Sequence, residues 1–285
     1  TAKEPIEIRI LKATIVDLQN QEKIPRDLTT IRIRFLGEGG FGIVYQLEYS
    51  DREGSKSYVI KMPKIMQDIR LLRQNNQTIQ QEGAALRALN GKAGKIPLFI
   101  TETSFTPEQL SIKREEFPEH IPVLVQEYIK GETLARALTN RSLTFFQKIS
   151  LMATTAETLA EIHEQGWIHR DVKPPNIMVT DEVKGEGVLF DFGGAFHKTE
   201  ILTAPNIFSE KYAPMEVAYA GISSPSQDVF AFGRTMEEVF AAGDKTDPDF
   251  EEIETLFKPI IENIITHMTE VTIAERIPMA KIALL

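Results

Sequence analysis

Apolar residues change their spacing part way along this sequence, and that change restricts the fold more than any other feature. Residues 6–16 (IEIRILKATIV) and 31–36 (IRIRFL) alternate apolar and polar side chains, the pattern of strands with one buried face. Residues 43–49 and 57–62 continue it, so the spacing predicts a β-meander up to Lys61. Over 64–89 the period lengthens. Ile65, Ile69 and Leu72, then Ile79, Leu86 and Leu89, suit one or two helices broken near Asn75-Asn76, with Asn90-Gly91 as a stop. Strands are predicted again near 96–104 and 121–128, separated by the polar loop TPEQLSIKREEFPEH. Beyond Gly131 the pattern is mostly helical. Ser142 is a candidate N-cap. Ile149, Met152, Ala156, Leu159 and His163 follow at helical spacing, and Gly166 ends the run. Two strand-like pieces, 177–179 and 188–190, precede a final stretch from about 226 that reads as helix. A β-rich part followed by an α-rich part predicts an α+β chain of two lobes, with the seam near residues 128–131.

Composition excludes several classes. The 285 residues carry 32 Lys+Arg against 41 Asp+Glu, a formal net charge of −9, which argues against a broad nucleic-acid-binding surface. There is no Cys, so disulfide scaffolds, thiol catalysis and Cys-based zinc sites are out. No apolar run approaches the roughly 18–20 residues of a membrane span. The start, Thr-Ala-Lys-Glu-Pro-Ile, has no apolar signal core, which leads to a cytoplasmic expectation. It also lacks an initiator Met, as a processed product or a piece of a longer chain would.

Four motifs carry chemistry. Gly37-Glu38-Gly39-Gly40-Phe41-Gly42-Ile43-Val44 lies where one predicted strand ends and the next begins. Glycines there let backbone N–H groups approach phosphate oxygens. A dinucleotide-binding turn needs a helix directly afterwards, but Ile43-Val44-Tyr45 continues as strand. In Tyr58-Val59-Ile60-Lys61 the lysine follows mostly apolar residues and could neutralise phosphate if a carboxylate held it. The only acids between Met62 and Thr101 are Asp68 and Glu82; Glu82, inside the helical stretch, is the favoured partner. His169-Arg170-Asp171-Val172-Lys173-Pro174-Pro175-Asn176 is the most specific run. Asp171 could accept a hydroxyl proton, Lys173 could neutralise a phosphoryl group in flight, and Asn176 offers a hard oxygen ligand for Mg²⁺. Asp191-Phe192-Gly193 follows twenty residues beyond Asp171 and places a carboxylate at a strand end, suited to a metal that bridges phosphates.

These motifs, in this order, resemble the eukaryotic-type (Hanks-type) Ser/Thr protein kinase family, over about Thr30 to the C-terminus. The resemblance implies a bilobal fold with residues 1–29 as an N-terminal extension that adds a strand or cap. Residues 30–128 would form a β-rich N-lobe and 129–285 a mainly helical C-lobe, with the active site in the cleft. It implies ATP and Mg²⁺ as cofactors. Gly37, Gly39 and Gly42 would cover the phosphates, and Lys61, held by Glu82, would bind two of them. Gln126-Glu127-Tyr128-Ile129 looks like the gatekeeper and hinge, with backbone groups of Glu127 and Ile129 holding adenine between Val44, Val59 and Met178. Asp171 would deprotonate the substrate hydroxyl, Lys173 would stabilise the transferring group, and Asn176 and Asp191 would bind Mg²⁺. Leu86, Leu98, His169 and Phe192 look like a stacked spine. Asp228 resembles the anchor of the catalytic loop. Glu216 resembles the residue that closes the activation segment, and Arg276 its buried partner. Lys173, two places after Asp171, and Ser209, seven before Glu216, follow the Ser/Thr pattern. Arg170 points to regulation by phosphate, with Thr199 and Thr203 as candidate sites. The partner implied is a protein with a Ser or Thr acceptor, and net acidity favours a basic one.

The sequence also departs from the family pattern. The closing triplet reads Ala213-Pro214-Met215-Glu216, Val59 replaces a small residue above adenine, and only 48 positions separate Asp228 from Arg276. Two alternatives stay open at this point: a nucleotide-binding scaffold without turnover, and a phosphotransferase for small alcohols. Lys61, Asp171, Asn176 and Asp191 are all present, against the first; Arg170, Lys173 and Glu216 stand against the second. His120, His163, His197 and His267 show no metal-ligand spacing and read as surface or packing residues.

Overall fold

The computed structural model describes residues 4–52, 54–113, 120–140, 143–181, 185–199, 209–221, 223–242 and 251–283. Ser142 and Thr203 lie outside them. The chain divides into two compact units: Thr1–Arg87 with Leu98–Tyr128, and Ala88–Pro97 with Ile129–Leu285. The first unit ends at Tyr128, but residues 88–97 belong to the second unit and not to the N-lobe expected over 30–128.

The first unit is built on an antiparallel sheet of β1 (Thr30–Glu38), β2 (Gly42–Asp51), β3 (Gly54–Pro63), β4 (Phe99–Phe105) and β5 (Ile121–Glu127), in the order β1-β2-β3-β5-β4. Side chains alternate between its faces. Leu47, Tyr49, Ile60, Met62, Val123 and Val125 enter one apolar core. Val59 and Lys61 project to the other face, in register with Gln126 and Leu124.

Residues 6–16 are not a strand, and the described residues of the N-terminal extension add none. They belong to helix α1 (Ile6–Asn20). The apolar–polar alternation lasts only from Ile6 to Ile10. Ile10, Leu11, Thr14 and Leu18 are the buried residues, and their three-to-four spacing is helical. Ile10, Leu11 and Leu18 join the sheet core, each contributing on the order of 1.5–3 kcal/mol as an upper bound. Arg9 Nη1 donates to the carbonyls of Leu110 (3.2 Å) and Ser111 (2.9 Å), tying the helix to the segment after β4.

Helix α2 (Ile69–Leu89) runs unbroken through Asn75 and Asn76. Both asparagines are buried, and their amides bond outward, to Lys64 O at 2.9 Å and His120 O at 2.8 Å. They therefore do not compete with the helix backbone, which is how Asn usually ends a helix. Gly91, at φ +73°, follows its end.

In the second unit, α4 (Phe145–Glu164) starts with a reciprocal capping box between Thr144 and Gln147. It packs beside α6 (Pro225–Ala241) and the antiparallel sheet of β6 (Glu132–Thr133), β8 (Ile177–Asp181) and β9 (Glu186–Leu189). A second small ladder joins β7 (Trp167–Ile168) to β10 (Phe196–His197). Short helices α3 (Leu134–Thr139), α5 (Met215–Ala220) and α8 (Met279–Ile282) and the longer α7 (Glu251–Met268) complete it. Among the described residues, no helix is long and apolar enough to cross a membrane.

Candidate active site

The segment after β7 is fixed from beneath by Asp228 of α6, which is fully buried. Its carboxylate accepts the main-chain N–H of His169 (2.7 Å) and of Arg170 (2.8 Å). His163 Nε2 lies 2.9 Å from the same group. Burial alone would raise the Asp228 pKa, but the His163 hydrogen bond and charge, with His169, hold it below the ordinary carboxylate range. Burial lowers the His169 pKa; the charges of Asp228, Asp171 and Asp191 oppose that only in part. Arg170 adopts φ +70°, a region costly for a residue with a Cβ. The two bonds to Asp228 over-determine that conformation. His163, which the sequence reads as a surface or packing residue, thus belongs to the loop's support; a histidine on a helix gives no sequence sign of a carboxylate 65 positions away.

Held this way, the loop presents Asp171 to three partners. Asn176 Nδ2 donates to its main-chain oxygen and to Oδ2, both at 2.8 Å. Lys173 Nζ is 2.8 Å from Oδ2. Ser209 Oγ donates to Oδ1 at 2.9 Å and accepts from Lys173 Nζ at 2.9 Å. A carboxylate that already accepts one aliphatic hydroxyl, beside an ammonium group, can take up a hydroxyl proton while positive charge stands close by.

Asp191 reaches this loop through the ladder of β8 and β9. Ile177 faces Leu189, and Phe190 N donates to Asn176 O at 3.0 Å. Asn176 and Asp191 therefore flank the same end of the two-strand ladder. Asp191 takes φ +68°, and the 3₁₀ turn Phe192–Gly194 follows. Phe192 is buried with its ring 4.7 Å from that of His169. Asn176 and Asp191 supply hard oxygen donors, a set that fits Mg²⁺, which keeps several waters and takes one or two protein ligands. Among the described residues no group of three or more His, Asp or Glu is placed to hold a metal.

In the first unit, Lys61 Nζ and Glu82 Oε2 form a close ion pair, with the Glu82 side chain 1% exposed. Val44 lies opposite Lys61 across β2 and β3. Gly42 is closely packed: a Cβ there would stand 3.1 Å from Met62 O and 3.2 Å from Ile79 Cδ1. Gly39 N is engaged with Gly42 O at 2.9 Å and closes the turn; a Cβ at Gly37 or Gly39 would meet nothing within 4 Å. Glu127 N is likewise engaged, by Leu98 O at 2.9 Å, which leaves the Glu127 carbonyl as the group of the expected hinge to consider. Gln126 is buried, and its Oε1 meets no hydrogen-bond partner among the described residues. Ile129 and Met178 belong to the second unit. Leu86 is buried, but Leu98 is 51% exposed, so it is not a buried spine member. It lies before β4, where its side chain has no strand face to pack under.

Glu216 and Arg276 form a bidentate pair, Nη1 to Oε1 at 2.5 Å and Nη2 to Oε2 at 3.2 Å. Thr199 is exposed, with its hydroxyl 2.6 Å from His197 Nδ1. Tyr212 OH donates to Glu238 Oε2 at 2.8 Å, a contact that nothing in the sequence marks.

Residues 31–279 match the model of the protein kinase domain family. The chain is 28% identical over 217 residues to serine/threonine-protein kinase PknA of Nostoc sp., covering 71% of this chain and 35% of that protein. It is 27% identical over 212 residues to serine/threonine-protein kinase F of Synechocystis sp., covering 71% of this chain and 42% of that protein. Serine/threonine-protein kinase B of Synechocystis sp. is 24% identical over 267 residues, 86% of this chain and 44% of that protein. The chain thus spans less than half the length of these relatives.

Proposed function

The chain belongs to the protein kinase domain family, in its Hanks-type Ser/Thr branch, and from that premise we propose that it transfers the γ-phosphoryl group of ATP to a Ser or Thr hydroxyl of a protein. The observation that carries this reading is the Asp171 carboxylate, which accepts the Ser209 hydroxyl at 2.9 Å with Lys173 Nζ 2.8 Å away. An acceptor hydroxyl would meet Asp171 in the same manner. Its oxygen forms a bond to the γ-phosphorus as the bond from that phosphorus to the β–γ bridging oxygen breaks, and its proton passes to Asp171. Lys173 is a fixed positive charge for the group in transit. Little covalent work falls to the protein, so positioning and charge supply most of the rate.

Lys61, held by Glu82, is assigned to the α- and β-phosphates, beneath the turn of Gly37, Gly39 and Gly42. Asn176 and Asp191 would hold Mg²⁺, which when bound would neutralise phosphate charge. The carbonyl of Glu127 and the backbone of Ile129 are assigned to the adenine edge, with Val44, Val59 and Met178 against the ring. The formal charge of −9 favours a basic protein as acceptor.

Mass spectrometry of the chain and a basic protein after incubation with Mg-ATP tests the reading. Phosphoserine or phosphothreonine is expected with the natural sequence and is expected to vanish with Asp171→Asn. Phosphate found only on small alcohols, or equal transfer by Asp171→Asn, would sink it.

A further inference from the structure

Helix α2 carries Glu82, and something must set its rotation so that this carboxylate meets Lys61. One turn of the helix faces β4 through two residues, Gly83 and Arg87, four positions apart and so on one side. Both meet the same side chain. Arg87 Nη2 lies 2.6 Å from Glu102 Oε2, and its guanidinium stacks 5.0 Å from the centre of the Phe99 ring. At Gly83 the Glu102 carboxylate fills the space that a side chain would take: a Cβ there would stand 2.7 Å from Oε2 and 3.1 Å from Cδ. Glu102 projects from β4 opposite Leu124, the residue that also faces Lys61. The clasp and the ion pair therefore sit on one face of one sheet.

We propose that Glu102 is a positioning residue for phosphoryl transfer: clasped between Gly83 and Arg87, it fixes the rotation of α2 and so places Glu82 on Lys61. Successive helix residues are turned by about 100°, so a helix pinned to β4 through residue 83 turns residue 82 toward β3. A glycine inside a helix, as Gly83 is in α2, lowers helix stability relative to Ala. Its absence of a side chain is what admits the carboxylate. The inference rests on the assignment of Lys61 to the phosphates of ATP.

Substitution at Gly83 separates positioning from stability, because the two respond with opposite sign. The contact that Gly83→Ala disturbs is the end of a flexible side chain, which can swing aside and leave the fold intact. Gly83→Ala is therefore expected to keep or raise the thermal midpoint. It should nevertheless lower kcat/KM for Mg-ATP by about tenfold, the order of loss from a small misplacement of a catalytic group. Glu102→Gln, which keeps the shape and removes the charge, should show the same loss. The double exchange Arg87→Glu with Glu102→Arg should recover part of the Glu102→Arg defect. The reactivity of Lys61 toward an amine-acylating reagent, read by mass spectrometry without nucleotide, should rise in both single variants as Glu82 releases it. Unchanged kcat/KM and unchanged Lys61 reactivity in Gly83→Ala and Glu102→Gln would overturn the proposal. If the natural sequence transfers no phosphate, the proposed function falls, and the Lys61 reactivity still decides the clasp.

Discussion

Asn176 holds Asp171 at two points, with Nδ2 at 2.8 Å from both its main-chain oxygen and its Oδ2. Turning the amide over would set its oxygen against both acceptors, so the orientation is fixed by the loop itself. The amide oxygen is thereby left for a different partner, and a hard oxygen suits Mg²⁺.

Replacing Asn176 by Asp removes both donors and sets a second carboxylate against Asp171. We expect kcat to fall by about a hundredfold or more, the scale seen when an oriented electrostatic group is lost from an active site. The thermal midpoint should fall as well, because Asn176 is buried and the new carboxylate stands against that of Asp171. Initial rates over a Mg²⁺ series, with melting curves, check both halves of the statement.

Ser209 bridges Asp171 and Lys173 through one hydroxyl. Ser209→Ala leaves the two charged groups without that link, whereas Ser209→Thr keeps it. Transfer should drop by about tenfold in the alanine variant, as expected for the loss of hydrogen bonds to charged groups. The threonine variant should stay near the natural rate. Side-by-side kinetics at saturating ATP discriminate them, and equal rates in all three would remove Ser209 from the site.

What could be read from the sequence was what is local. The run from His169 to Asn176 closes on itself within one loop, so its spacing carries its geometry, and the Lys61–Glu82 pair followed from a shortage of acids between Met62 and Thr101. Helix α1 departs from the predicted strand because Ile6, Ile8 and Ile10 imitate a strand, while its burial is decided by Ile10, Leu11, Thr14 and Leu18. Asn75 and Asn76 look like a helix break until their amides find Lys64 O and His120 O. His163 on Asp228 and Glu102 on Gly83 join elements far apart in the chain. No periodicity reports such contacts, because each partner alone fits an ordinary helix or strand face.

The Arg276 side chain is 1% exposed. Besides Glu216 it donates to the carbonyls of Glu270 (2.7 Å), Ser226 (3.3 Å) and Val271 (3.3 Å), over the Phe230 ring. Glu216→Ala would leave that guanidinium buried with only carbonyl partners. A destabilisation of about 3–5 kcal/mol is expected, the range for removing one partner of a buried pair. Arg276→Lys should not preserve stability, since an ammonium group cannot reproduce the fork. Urea unfolding of the three chains measures this; a loss below 1 kcal/mol in Glu216→Ala would contradict the account.

Asp228 makes stability depend on pH in a definite direction. Its folded pKa is depressed, so its contribution is fully present above the unfolded value, about 3.9, and is lost as pH falls through the lower folded value. Asp228→Asn cannot reproduce the carboxylate that accepts from His169 N, Arg170 N and His163. At neutral pH the variant should be less stable by about 3 kcal/mol, as for a broken buried charge network. The gap between the two chains should hold down to about pH 4 and narrow below it as the natural carboxylate takes up its proton. Urea midpoints measured from pH 7 to pH 2 on both chains test the sign: a gap that widens on acidification would show that the Asp228 carboxylate is not the depressed group.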